Sequence, residues 1–299
     1  MRTYLDCYPC FFHQIIGTSR MMNVDEQTIR DILVAFGQSL PRIHAEAIPP
    51  EIGREAYRLI SEKTGILDPY AKLKKECTQQ ALSFYPKLKE RVASSQDRLL
   101  EAVRIAIAGN VIDFGANADF DLDKDLAVLL SQPLAINHYR AFCHVLKRAR
   151  KILFIADNAG ETVFDRILIE ELEKQVVYAV REKPIINDAL YQDALDAGID
   201  KIAEIVSSGT DAPGTILNLC SDHFLEIYRS VDLIISKGQG NYEGLSDETR
   251  PVFFLLKAKC AVIARDIGVK QGGLILMKAK NYDFPVRENP IPIEEVSCE

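Results

Sequence analysis

Along the first 150 residues, apolar positions recur at three- and four-residue intervals, the period of a helix with one buried face. Residues 25–37 (DEQTIRDILVAFG) carry this spacing, with Asp25 placed to cap the start and Gly37 the end. The same rhythm returns over 50–64, 70–93 and 95–109, punctuated by Pro49, Pro50, Gly65 and Pro69. DKDLAVLLSQ and NHYRAFCHVLKRA read as two further helices, and no strand is expected before residue 150.

After residue 150 the rhythm changes to short apolar runs: KILFIA (151–156), QVVYAV (175–180), AEIVSS (203–208), VDLIIS (231–236), CAVIA (260–264) and LILMK (274–278). Most are separated by about 20–30 residues with helical spacing, as in ETVFDRILIEELEK and TILNLCSDHFLEIYRS. Strand–helix alternation of this kind predicts a mostly parallel sheet with helices on both faces. The chain of 299 residues therefore reads as an all-α region over 1–145 and an α/β domain over 146–299.

Composition narrows the class. The net charge is −7, and no basic run with interleaved aromatics is present, which argues against nucleic acid as a partner. No apolar run reaches the roughly 18 residues of a membrane helix, and MRTYLDCYPCFFHQ lacks the pattern of a signal peptide. The expectation is a cytoplasmic protein with no membrane partner, compatible with a homo-oligomer. Seven scattered cysteines then read as thiols or ligands rather than disulfides.

Open α/β sheets bind ligands at the carboxyl ends of their strands. Three polar motifs fall there: DNAGE (157–161), REKPIINDA (181–189) and SKGQGNYEG (236–244). Any one alone could be a helix start, with Asp157 or Asn158 as a cap before Thr162. Three on one sheet edge indicate a site. Asp157, Asn158 and Asp188 offer the oxygen donors that a hard divalent cation takes, with positions left open. Lys237 and Lys259 are placed to neutralise phosphoryl oxygens, and Gly238, Gly240 and Asn241 to bring backbone close to an anion. Asn110 and Asp113, in the Gly-interrupted stretch AGNVIDFGANADFD (108–121), are candidates to reach in from the helical region. A dinucleotide fingerprint fails, because the third glycine would fall on Glu243. An Asp-x-Asp phosphatase motif fails at Ala159, and no P-loop is present.

CYPC (7–10) is a Cys-x-x-Cys that leads into a helix. Cys7 and Cys10 read as spare thiols, as a redox pair, or as half a metal site completed by Cys77 or His13.

Taken together, CYPC with Gln14, DPY (68–70), GNVID (109–113), DNAGE, REKPIIND, KGQGNYE (237–243) and LKAKCAVIARDIGV (256–269) resemble the metal-dependent damage-control phosphatases, the domain of unknown function 89. The resemblance covers nearly the whole chain. Its Cys-x-x-Cys is similar to that of the stand-alone archaeal and bacterial branch. It implies a helical domain on a Rossmann-like α/β domain. It also implies a divalent metal (Mg, Mn, Co or Ni) at Asp157, Asn158 and Asp188, and a phosphate-binding lysine at Lys259. Asn110, Asp113, Glu161 and Asn241 fall near that site. The implied substrates are phosphate esters of small metabolites, sugar phosphates and phosphopantetheine-type compounds among them. Asp157, Lys259 and Glu161 are the candidate catalytic residues. Two rival readings share the fold: a non-catalytic sensor of a metal or phosphometabolite, and a methyltransferase.

Overall fold

The computed structural model describes residues 1–44, 46–110 and 127–284. Helices α1 (Tyr8–Met21), α2 (Glu26–Ser39) and α3 (Pro49–Thr64) come first. Asp25 caps α2 as expected, its Oδ1 accepting from the Thr28 N–H at 2.9 Å. Gly37 does not end that helix, which runs two residues further to Ser39; Gly65 does end α3, in the left-handed conformation. Phe11, Ile15, Ile32, Phe36, Ile52 and Ile60 give these three helices a core of their own.

Helices α4 (Ala71–Ser94) and α5 (Arg98–Gly109) behave differently, because their apolar faces join the core beneath the sheet. After α6 (Ala127–Ser131) the chain forms β1 (Leu134–Asn137), α7 (Tyr139–Arg148), β2 (Lys151–Ile155), α8 (Thr162–Leu172), β3 (Gln175–Val180), α9 (Tyr191–Asp196), β4 (Glu204–Ser207) and α10 (Asp222–Ser230). It closes with β5 (Leu233–Lys237), α11 (Gly238–Leu245), β6 (Val252–Lys257), α12 (Ala261–Ile267) and β7 (Leu274–Lys278).

The strands form one seven-stranded sheet in the order β1-β7-β6-β5-β2-β3-β4. Pairing is parallel except between β6 and β7. The expected α/β class, a mostly parallel sheet flanked by helices, is what the chain adopts. Two expectations fail. CAVIA is the start of α12, capped by Cys260, whose Sγ accepts from the Ile263 N–H. The strand in that region is VFFLLK, just upstream; an isolated apolar pentamer does not distinguish the two by periodicity. The second failure is β1, which lies before residue 150. It is four residues long, at the sheet edge, and alternates between half-buried and exposed positions.

One face of the sheet packs against α4, α5, α7 and α8 through residues such as Phe142, Phe154, Phe164, Tyr178 and Phe253. The other face packs against α10, α11 and α12 through Leu153, Phe224, Ile234, Tyr242 and Phe254. Strands buried on both faces read as continuous apolar runs, as these do. Among the described residues, no helix is long and apolar enough to cross a membrane.

Backbone packs closely where α11 meets the 213–215 loop. A Cβ at Gly244 would lie 2.1 Å from the Thr215 carbonyl oxygen, and one at Gly240 2.1 Å from that of Pro213. Gly37 has open space around it within α2. Gly244→Ala is therefore expected to lose about 1–3 kcal/mol of stability to overpacking. Gly37→Ala should gain somewhat under about 1 kcal/mol from helix propensity. Urea unfolding of the two variants should move the midpoint in opposite directions.

Candidate metal and phosphate site

Strand order reverses between β2 and β5, since β3 and β4 lie to one side of that pair and β6 to the other. A doubly wound sheet opens a crevice at such a point. Asp157 leaves the carboxyl end of β2 there, and Gly238 leaves β5 beside it. The approach is close enough that a Cβ on Gly238 would lie 1.9 Å from Asp157 Oδ2, and Gly238 adopts φ +75°. Glycine is required at that position on both counts.

The loop after β3 turns back onto β2. The Ala189 N–H donates to the Asp157 carbonyl at 2.7 Å, and the Ala159 N–H to the Asn187 carbonyl at 2.9 Å. Asn158 and Asp188 form an antiparallel bridge. Three of the expected donors are thus joined by backbone hydrogen bonding before any side chain acts. The capping alternative fails: Asn158 makes no side-chain cap at the turn that follows it, and the Asp157 carboxylate accepts from the side chains of Asn110 and Asn158 instead.

The side chains then crowd negative charge into a buried place. Asp157, Glu161 and Asp188 are each less than a tenth exposed. Asn158 Nδ2 donates to Asp157 Oδ2 at 3.2 Å and to Glu161 Oε1 at 2.5 Å. Asn110, at the end of α5, donates through Nδ2 to the same two oxygens, at 3.0 and 2.7 Å. It reaches the site from the helical part as expected. Asp113 lies outside the described residues.

Lys237 and Asn241 are not where an anion would meet them. Lys237 is wholly buried, and its Nζ bonds Glu161 Oε2 at 3.0 Å and Asp165 Oδ1 at 2.5 Å. Asn241 is equally buried. Its Oδ1 accepts from Arg181 Nη2 (2.9 Å) and Thr215 Oγ1 (2.8 Å), and its Nδ2 donates to the carbonyls of Ala156 (2.9 Å) and Lys237 (2.7 Å). Both residues brace the strand ends from below, because burying them without these partners would be prohibitive. Gly240 serves the backbone contact with Pro213 described above. Lys259 is exposed at the end of β6, and its charge acts on Asp157, Glu161 and Asp188.

Two residues of this network escape the sequence reading. Arg181 opens the REKPIIND motif, is buried, and holds Asp188 Oδ2 through Nε at 2.8 Å. Asp165 lies one helical turn after Glu161, bonded by Lys237 and by the Tyr178 hydroxyl at 2.8 Å. An acid on an otherwise apolar helix face was the available signal. Cys7 and Cys10 are free thiols, Cys7 half-buried and Cys10 exposed. Among the described residues no three His, Cys, Asp or Glu side chains group to hold a metal, so neither Cys77 nor His13 completes a centre with them.

Burial dominates the electrostatics. It raises the Asp157 pKa to about 8, with Glu161 and Asp188 adding to the shift. It raises Glu243 to about 7 and Asp165 to about 6, and Asp188 also shifts up. Burial pushes Glu161 the same way, but Lys237 and Lys259 outweigh it and its pKa falls. The donor chemistry of Asp157, Asn158 and Asp188 is of the kind a divalent cation takes: these residues would supply two carboxylates and an amide oxygen and leave positions for substrate and water.

A doubly wound α/β protein with an acidic, lysine-faced crevice at its switch point is the class that these features define. The damage-control phosphatase ARMT1-like domain model matches residues 3–275, and the chain belongs to that family. A damage-control phosphatase of Pyrococcus horikoshii is 34% identical, with 94% of this chain and 99% of that protein aligned. The crystal structure of that protein, described as a DUF89 family protein, superposes with a TM-score of 0.87 over 94% of this chain and 100% of its own. A damage-control phosphatase of Archaeoglobus fulgidus is 32% identical over 90% of this chain and 96% of its own. The mouse 4'-phosphopantetheine phosphatase is 26% identical over 52% of this chain and 23% of its length.

Two outcomes follow from the buried charge. An acid whose pKa is raised in the fold stabilises it below the ordinary value and loses that contribution as pH rises through the raised one. Asp157, Asp165, Asp188 and Glu243 act in this direction and Glu161 in the other. From about pH 4 to about pH 8 the melting temperature of the metal-free chain should therefore fall relative to that of an Asp157→Asn variant, whose amide does not titrate, as scanning calorimetry in EDTA can follow. Lys237→Met leaves Glu161 and Asp165 uncompensated and should cost about 3–5 kcal/mol in chemical denaturation.

Proposed function

We propose that the chain is a metal-dependent phosphatase that hydrolyses phosphate monoesters of small metabolites, in a damage-control role. The observation that carries this reading is the backbone-locked convergence of Asp157, Asn158 and Asp188 at the switch point, facing Lys259. The names of the relatives support the same chemistry.

In this reading Asp157, Asn158 and Asp188 hold a divalent cation (Mg, Mn, Co or Ni). Bound there, it supplies Lewis-acid polarisation of the phosphoryl group. The remaining roles belong to the chain. Arg181 fixes the carboxylate of Asp188 through the 2.8 Å bond to Oδ2. Asn110 and Lys237 fix Glu161, and through it the Asn158 amide. Lys259, exposed at the mouth, meets the phosphoryl oxygens as a mobile point charge and offsets the charge that develops on them. The buried floor of Lys237 and Asn241 excludes water from beneath the reacting group. The attacking group is water or the Asp157 carboxylate, and the leaving group is a sugar or pantetheine-like alcohol.

Release of inorganic phosphate from p-nitrophenyl phosphate and a panel of sugar phosphates tests this, first in EDTA and then with each cation restored. Turnover should appear only with metal. Asp188→Asn should remain folded, since Arg181 can still donate to the amide oxygen, yet lose at least about 100-fold in metal-restored rate, the scale of removing one well-placed electrostatic group. Wild-type rates in that variant would refute the assignment. Folded wild-type protein that binds Mn²⁺ but releases no phosphate would favour the sensor reading.

A further inference from the structure

The loop that carries Asp188 is anchored in a part of the molecule remote from the sheet. Ile185 is buried within the core of α1–α3, which also holds Phe11, Ile15 and Tyr57, and Ile186, half-buried, packs against that core. Ile186 has φ +47°, one of three non-glycine residues in the left-handed region among those described. The other two are Asn23, a residue that takes this conformation readily, and Glu173, at a helix end. A β-branched side chain disfavours it strongly, and such backbone persists only where the surroundings impose it.

The strained residue is two positions from Asp188. The Asp188 N–H closes the same turn on the Ile185 carbonyl at 3.1 Å, and the next N–H, of Ala189, is the one bonded to Asp157 at 2.7 Å. A turn of ordinary composition would place asparagine or glycine at this φ. An isoleucine there trades backbone ease for a plug seated in the helical core.

We infer that Ile186 is a positioning residue for Asp188: its side chain, seated among α1–α3, holds the turn in the conformation that brings Asp188 onto Asn158. Helices α1–α3 thereby set the geometry of the site without contributing a cation-holding residue to it. This rests on the reading of Asp157, Asn158 and Asp188 as cation holders for its kinetic consequence, though not for its structural one.

Ile186→Gly and Ile186→Val separate the plug from the strain. Glycine adopts φ +47° freely but has no plug; valine keeps a β-branched side chain and most of the contact. Amide hydrogen exchange on the metal-free protein reads the turn directly. In Ile186→Gly the Asp188 and Ala189 amides should exchange at least about tenfold faster, with the amides of β2 and β5 unchanged. Calorimetric titration with Mn²⁺ should then show weakening of about tenfold or more, and kcat should fall with it, while the melting temperature in EDTA stays near wild type. Ile186→Val should restore exchange, Mn²⁺ affinity and kcat. Unchanged exchange at Asp188 and Ala189 in Ile186→Gly would overturn the inference, as would a lowered melting temperature with Mn²⁺ affinity intact. Wild-type protein that neither binds Mn²⁺ nor releases phosphate would sink the functional reading, and the exchange data would still decide the role of Ile186.

Discussion

Like charge held out of water is the constraint around which this molecule is arranged. Asp157, Glu161 and Asp188 are buried together at one edge of the sheet. Two unit charges about 4 Å apart repel by roughly 4 kcal/mol at an effective dielectric near 20. The fold answers each carboxylate with a dedicated partner: Arg181 for Asp188, Lys237 for Glu161, and the amides of Asn110 and Asn158 for Asp157 and Glu161. Those partners are drawn from α5, β3, β5 and the turn after β2, so the cluster ties together elements that the backbone topology merely makes adjacent. Even so, burial and the neighbouring Glu161 and Asp188 push the Asp157 pKa up to about 8.

The sequence carries some of this plainly. DNAGE is legible because an apolar strand has no packing reason to end in an acid and an amide, and the alternation of strands and helices places it on the ligand-binding edge. The link to REKPIIND and KGQGNYE is legible for the same reason. Direction is the part that stays hidden. Lys237 and Lys259 look alike along the chain, yet one ends beneath the site with no exposure and the other stands at its mouth. The side chain of Lys237 falls on the α8 side of the sheet, where Asp165 waits. That depends on strand register, and an offset of one residue reverses it. Arg181 and Asp165 are invisible for a related reason: each makes sense only through a partner that tertiary packing supplies. The reading of CAVIA as a strand has a simpler cause, since an apolar pentamer suits either element until its neighbours are placed.

The helical first half is also less uniform than its periodicity suggests. Its α4 and α5 are cover for the sheet, sharing a core with α8, while α1–α3 enclose a separate one. Both groups reach the site. The first does so through Asn110, which projects from the last turn of α5 into the carboxylates. The second does so through the loop after β3, whose two isoleucines enter the α1–α3 core. Buried Lys74 adds a further tie, pairing with Asp68 ahead of α4 and with Asp193 on α9.

Depth therefore divides labour in the site. Lys237 and Asn241, with no exposure, are held by partners within the protein, and a ligand would reach them only by breaking bonds that hold the strand ends in place. Only groups that retain free capacity at the surface can exchange partners during a reaction, and Lys259 is the cation so placed. In the proposed phosphatase reading, the alcohol portion of a substrate would extend outward from Lys259, and variation among the exposed residues there could change which ester is accepted while leaving the buried charges untouched.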